Sequence, residues 1–544
     1  MIITPGGKCL FFAAILFLVT SSFPQTPQPT PTHADILRGS YGPYRANNDL
    51  LSYALDIRVD PEKKTVSGKN TIRFRMLRDD SRIQIDLYPN MKVERILSGS
   101  AELKYNRDEG AVFIDFPGTL KTGRSYSIDF YFSGQPMITN FGGLFFKKDK
   151  AGRPWIASSC EINGASLLWP SKDQWRDEVE SMTISVAVPT GLMDVSNGRF
   201  LGSKDLGDGY TRWDWKVDYP INSYGASINI AKYEHWSEKL GDLPLDFYAM
   251  PEDLDKAKKQ FEQARGMLEA YQHYFGEYPF KKDGYKLIQT PYVGMEHQSA
   301  IAYGNRFLNG FIGKDYNGSG ITMRFDYIII HESAHEWFGN AITANDISDM
   351  WIHEGWATYL ECLYVEYTYG HDDYLKYVNA YKTMVENKTP IVTPRGTSTE
   401  PSLDQYSKGG LLIHTLRSIV DDDRKWFALI HDLFQHFKYR NVMTEDIVAW
   451  FNQKTGMNLT PVFDQYLRHT AIPKLELKFG NDGNVSYRWQ ADEPGFAMPV
   501  KVGTKDNWKI IQPTTEWKTM KTDIKMADFG AATDLYYIDV VSSQ

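Results

Sequence analysis

The period of the hydrophobic pattern changes twice along these 544 residues, and each change restricts what the segment can become. From about Leu50 to Trp236 apolar residues alternate: Tyr53, Leu55, Ile57 and Val59, then Ile72, Phe74 and Met76, then Tyr126, Ile128, Phe130 and Phe132. A period of two, broken by Gly, Pro and Asp, puts one face of successive strands on a core and predicts a large antiparallel β domain. Near Pro251 the spacing becomes three and four, through Leu254, Ala257, Phe261, Ala264, Leu268 and Tyr271, and helical runs continue to about Thr470. Within them Thr444 is placed to cap a helix, with Met443 and Val448 spaced as a hydrophobic staple. Then Leu475, Leu477 and Phe479 alternate, Asp482-Gly483 offers a hairpin turn, and Val485, Tyr487 and Trp489 alternate on the return. No internal repeat recurs at a fixed period. The expected architecture is multi-domain α+β, with an N-terminal antiparallel β domain over 41–243, a mostly helical domain over 244–470 and a small β-sandwich-like domain over 471–544.

The first forty residues read differently. Lys8 precedes an apolar stretch from Cys9 to Val19, and Thr20, Ser21 and Ser22 supply small residues for cleavage, so 1–25 reads as an export signal peptide. The stretch is short of the ~20 residues that span a bilayer, and no later segment looks transmembrane. The run PQTPQPTPTH from Pro24 to His33 has linker composition, which gives a linker over 26–40. The expected location is therefore periplasmic or secreted. Cleavage removes Cys9 and leaves Cys160 and Cys362, bridged or free, which read as small buried residues rather than as a bridge. A net charge of -8 offers no basic field for phosphates, so nucleic acid is not an expected partner.

The chemistry concentrates in His331-Glu332-Ser333-Ala334-His335, an HExxH motif preceded by Phe325, Tyr327 and three isoleucines and followed by Gly339 and Asn340. On a helix its two histidines lie about 40° apart on one face, one turn up, so both imidazoles reach a single ion at about 2.0–2.1 Å. Glu332 sits beside that face, where a carboxylate acts on a metal-activated water without being a ligand. A catalytic zinc site wants a third protein ligand, and Glu354 supplies it, nineteen residues on, in a run from Met350 to Tyr369 that reads as a second helix, capped by Asp349 and stopped by Gly370. His353 points about 100° away from Glu354 and reads as its neighbour rather than as a fourth ligand. Glu361 and Asp349 are candidates to accept the second N–H of the zinc histidines. Gly318-Ser319-Gly320 fits no phosphate-loop spacing and carries no function.

The spacing HExxH-x18-E, the sequence Trp337-Phe338-Gly339-Asn340 and the W-x-x-E-G-x-A stretch around Glu354 resemble the zinc aminopeptidase family of aminopeptidase N and the leukotriene-epoxide hydrolase, which are gluzincin metallopeptidases. Tyr292-Val293-Gly294-Met295-Glu296-His297 resembles that family's G-x-M-E-N sequence, and Tyr406-Ser407-Lys408-Gly409 its Y-x-K-G sequence. The likeness runs from about residue 50 to Phe463-Asp464-Gln465-Tyr466 and is much weaker beyond.

The resemblance implies a thermolysin-like catalytic domain, one Zn²⁺ per chain and peptide substrates with a free N-terminus. It makes His331, His335 and Glu354 the zinc ligands and Glu332 the base. Glu296, with Gly294 and Met295 beside it, and Glu161 then hold the substrate amine, and Tyr406 donates to the oxyanion. Three residues depart from the family pattern: His297 stands for Asn, Val293 for Gly and Glu336 for Gln. Each lies near the expected site. His297 shifts the electrostatics of the amine pocket, binds a second metal or, the better reading, is a satisfied structural histidine, and Val293 narrows the cleft if substrate lies along that backbone. The rival activities on this scaffold are an endopeptidase or an epoxide hydrolase, and the non-enzyme rival is a peptide-binding relative.

Overall fold

The computed structural model describes residues 30–140, 142–399 and 401–544. The segment read as a signal peptide lies outside the described residues. Within the expected linker, residues His33–Gly39 form a helix instead. Thr32 accepts from the Asp35 N–H while the Asp35 carboxylate accepts from the Thr32 N–H, a reciprocal cap that outweighs the proline-rich approach.

The first domain is built on an eight-stranded sheet. Its strand Asn48–Asp60 pairs antiparallel with Thr65–Met76, Leu55 opposite Asn70, and parallel with Ser181–Pro189, Leu55 opposite Ile184. Alternation does what a half-buried strand requires: Tyr53, Leu55 and Ile57 are buried, while Ala54 and Asp56 between them face solvent. Smaller sheets of five and three strands complete the domain around one core.

The second domain opens with a five-stranded sheet rather than with a helix. In spatial order its strands are Glu234–Leu240, Leu243–Ala249, Tyr285–Gln289, Ile301–Tyr303 and Gly294–Met295. The boundary expected at 243/244 therefore cuts a hairpin of this sheet, because period-two patterning says nothing about which sheet a strand joins. The helical run from Leu254 breaks at Glu262 into Leu254–Phe261 and Gln263–Phe275. The long helix Trp351–Tyr369 runs through the middle, buried continuously from Trp351 to Val365. It packs on the helix Asp404–Val420 so closely that a Cβ built on Gly355 would lie 3.1 Å from the Cα of Gly409, and one built on Gly409 only 3.0 Å from that of Gly355.

The C-terminal strands form sheets of four and three. Leu475, Leu477, Val485 and Trp489 join the core of the helical domain rather than making a separate one. The Tyr537 N–H donates to Thr415 Oγ1 at 3.1 Å, and Tyr466 Oη donates to the Tyr537 carbonyl at 2.6 Å, so this domain braces the helix that carries Tyr406. Among the described residues no helix is long and apolar enough to cross a membrane. Cys160 and Cys362 are buried and free.

Candidate metal and substrate site

The helix Tyr327–Ala334 starts at Asp326, whose carboxylate accepts from the Ile328 and Ile329 N–H groups. Every residue in it is buried, so it threads the core and presents the motif at its C-terminal end. His335 is the helix C-cap rather than an interior residue, and Glu354 lies in the first turn of Trp351–Tyr369. The side chains converge. His331 Nε2 and His335 Nε2 are 3.4 Å apart, and Glu354 Oε2 stands 3.3 Å from the first and 3.4 Å from the second. Tetrahedral ligands held about 2.0–2.1 Å from a zinc are themselves about 3.3–3.4 Å apart. Glu354 Oε2 is buried and makes no hydrogen bond, which leaves it for a cation. The donor set fits one zinc ion.

The outer nitrogens are committed elsewhere. His331 Nδ1 lies 2.6 Å from Glu361 Oε1, while Tyr377 Oη, at 2.7 Å, and Tyr381 Oη donate to the other oxygen of Glu361. His335 Nδ1 donates to the Phe338 carbonyl at 3.0 Å. With each Nδ1 donating, each Nε2 keeps a lone pair turned to the triangle. Without metal the triangle is a cluster of ion pairs: burial opposes charge on His335, but Glu354 outweighs it and pushes the ring up to about 8. Glu354, against its own burial, is held far below the carboxylate range by His335 and His331.

Glu332 lies beside the triangle. Burial pushes its carboxyl up to about 7, with His331 pulling it down and Glu296 pushing it up. A Cβ on Gly294 would stand 2.4 Å from Glu332 Oε1, so only glycine lets the edge strand Gly294–Met295 pass this close. Met295 is buried beneath that strand, 3.6 Å from Ser159 Oγ. Glu296 follows it, its carbonyl held by Asn340 Nδ2 at 2.8 Å. Carboxylate oxygens of Glu161, Glu296 and Glu354 all lie within 4.8 Å of one another. Burial pushes Glu161 and Glu296 above the ordinary range; Glu296 and Glu354 push Glu161 further, and Glu354 pushes Glu296 against the pull of His335. Such a cluster calls for a cation. The Tyr406 ring stacks on His331 at 6.0 Å, and burial, reinforced by Glu354, keeps its hydroxyl protonated. A cavity of about 400 Å³, lined by Tyr406, Glu332, Phe311, Tyr316 and Met384, opens beside it.

Several expectations change. Asp349 neither caps the helix nor meets the histidines: Arg395 donates to it twice, at 2.7 Å each, and Thr444 Oγ1 donates at 2.6 Å. That bidentate pair consumes its lone pairs. Thr444 consequently does not cap its helix, whose N-cap is Met443. His297 is fully buried with neither ring nitrogen hydrogen-bonded, and burial pushes it down to about 3, so it is neutral but neither satisfied nor paired with the zinc histidines. Glu336 accepts from the Ser299 N–H at 3.0 Å and from Asn340 Nδ2 at 2.9 Å, which ties the Glu296 loop to the motif. Val293 is partly buried against the core, and its carbonyl accepts from the Gly304 N–H at 2.7 Å. His353 points off the triangle and its ring stacks on Trp175 at 4.9 Å. Tyr377, Tyr381 and Tyr327, whose ring stacks on His331 at 5.3 Å, were not read from the sequence, although 377 and 381 share one helical face.

A model of the peptidase family M1 domain matches residues 259–466, and a model of the peptidase M1 N-terminal domain matches residues 50–224. The chain belongs to the M1 peptidase family. It is 23% identical over 467 residues to endoplasmic reticulum aminopeptidase 1 of Homo sapiens, covering 80% of this chain and 49% of that protein. It is 21% identical to leucyl aminopeptidase of Saccharolobus solfataricus, over 90% of this chain and 61% of that one. The chain thus spans about half the length of its human M1 relative. Among solved structures, an M1 zinc metallopeptidase mutant from Deinococcus radiodurans, bound to a Tyr-Ser-Ala substrate, superimposes with a TM-score of 0.65 at 19% identity, over 79% of this chain and 96% of that one. At that identity the likeness shows the M1 fold.

Proposed function

We propose that this chain is a zinc-dependent aminopeptidase that removes residues from the free amino end of peptides, and that it works outside the cytoplasm, in the periplasm or secreted. The observation that carries the reading is the carboxylate pair of half-buried Glu161 and buried Glu296 beside the zinc triad, within 4.8 Å of Glu354. A peptide ammonium supplies the missing charge, and its anchoring there puts the first peptide bond at the metal, so one residue leaves per turnover. The names of the aminopeptidase relatives support the same activity.

Zinc, when bound, polarises the scissile carbonyl and makes water acidic enough to attack it near neutral pH. The protein supplies the rest. Glu332 takes the proton of the attacking water and returns it to the leaving amine. The Tyr406 hydroxyl, kept protonated, donates to the carbonyl oxygen as negative charge develops there. Among the described residues Gly294–Met295 is the last strand of its sheet, so an extended peptide backbone can pair along its outer edge.

The test is one tripeptide in free and N-acetylated forms, with products weighed and zinc counted. The free form is expected to lose single residues in order, and acetylation to slow cleavage by about 100-fold or more, the loss of a buried charge pair. Cutting of both forms at the same internal bond would favour an endopeptidase; cutting of neither by zinc-loaded protein would favour a binding role. Export rests on the pattern from Lys8 to Ser22. Expression of the full sequence in a Gram-negative host, with the mature N-terminus read by mass, is expected to show removal of about the first 25 residues. An intact Met1 in the cytosolic fraction would remove that part.

A further inference from the structure

We infer that Tyr224 of the β domain is a positioning residue for the amine-binding carboxylate of Glu296, its hydroxyl proton aimed there by His353. The inference rests on the aminopeptidase reading above.

The Ala344 backbone N–H donates to His353 Nε2 at 2.8 Å. A backbone amide only donates, so Nε2 carries the lone pair and the ring proton sits on Nδ1. Nδ1 faces Tyr224 Oη at 3.5 Å and is the donor of that contact. The tyrosine proton is then left for Glu296 Oε1, 3.3 Å away. A hydroxyl donating to a carboxylate fixes its rotamer and stabilises the negative charge that meets an ammonium.

The relay is held rigidly at both ends. Trp175 stacks on His353 at 4.9 Å with the planes 8° apart, and on Tyr224 at 5.0 Å. Tyr224 sits in the short turn Ser223–Gly225, which Asn222 caps while its Nδ2 donates to the Trp175 carbonyl at 3.2 Å. Tyr224 and His353 are 1% and 0% exposed, so water does not compete for these contacts. Recognition of the amine is thus a property of two domains: the catalytic domain supplies Glu296, and the β domain supplies Glu161 and aims Glu296.

A pair of inhibitors isolates the amine. Leucine hydroxamate and its des-amino counterpart, 4-methylpentanehydroxamate, share the metal-binding group and the side chain and differ only in the ammonium. The ratio of their inhibition constants is measured on zinc-loaded wild type and on Tyr224→Phe. That ratio is expected to shrink about tenfold, the worth of one hydrogen bond to a charged group. KM for leucyl p-nitroanilide rises by a similar factor while kcat changes less than about threefold. His353→Phe keeps a ring on Trp175 and shrinks the ratio in the same direction, and the double variant goes no further than the larger single effect. An unchanged ratio in Tyr224→Phe with full zinc content overturns the inference. So does equal weakening of both inhibitors, the mark of a merely structural role, and so does simple multiplication of the two effects in the double variant. If the wild type itself fails to prefer the amine-bearing inhibitor, the aminopeptidase reading falls first.

Discussion

Glu332→Gln is expected to lower kcat by about a thousandfold while zinc stays at one per chain and KM moves little, within the range that loss of a general base produces. The substitution keeps shape and hydrogen-bonding reach but cannot accept the proton of an attacking water. In the metal-free site burial pushes the Glu332 carboxyl up to about 7, with His331 pulling it down and Glu296 pushing it up. A group poised there takes and returns a proton at neutral pH. Because Glu332 is outside the triangle of donor atoms, the variant should melt no lower than the parent. Turnover above a tenth of wild type, on protein whose metal content has been measured, would remove Glu332 from the mechanism.

Stripping the zinc should abolish activity and lower the melting temperature, and the gap between zinc-loaded and metal-free protein should widen from pH 6 to pH 9. In the metal-free protein His335 is raised from 6.5 to about 8 through Glu354, against its burial. A raised histidine stabilises fully below its unfolded value of about 6.5, and that stability is lost as pH climbs through 8. The loss is on the order of 2 kcal/mol. Zinc needs both imidazoles neutral, so its binding releases protons and tightens over the same window. This is the same proton linkage read from the metal side, and it sets the sign of the gap. Saturating zinc adds about 4 kcal/mol at a thousandfold excess over Kd. Thermal unfolding of dialysed and reloaded protein at pH 6, 7, 8 and 9 measures the gap, and a constant or narrowing gap would contradict the proposed ligand set.

What could be read from the sequence follows from how local the chemistry is. Two histidines one helical turn apart need no tertiary information to share a metal, and Glu354 needed only one further helix. Glu361 could be suspected on its helix, but not the Tyr377 and Tyr381 hydroxyls that complete its surroundings. Asp349 looked like a cap because it precedes a helix, yet Arg395, 46 residues away, claims it. Tyr224 reaches Glu296 across 72 positions and His353 across 129, distances over which periodicity carries no signal. The helix His33–Gly39 is the opposite case. Its signature, Thr32 with Asp35 three residues on, stood in the sequence, but the surrounding prolines and threonines gave the segment the composition of a linker.

The close passage of Gly355 and Gly409 bears on how this fold tolerates change. Glu354 and Tyr406 sit on the two helices that meet there, and at Gly355 and Gly409 backbone faces backbone, so neither residue has a side chain to grow, shrink or turn. The spacing of Glu354 and Tyr406 is thus set at this crossing by main chain rather than by side chains. Core side chains elsewhere can be exchanged and repacked over many generations without altering it, so a chain can drift far in sequence and keep its reaction geometry.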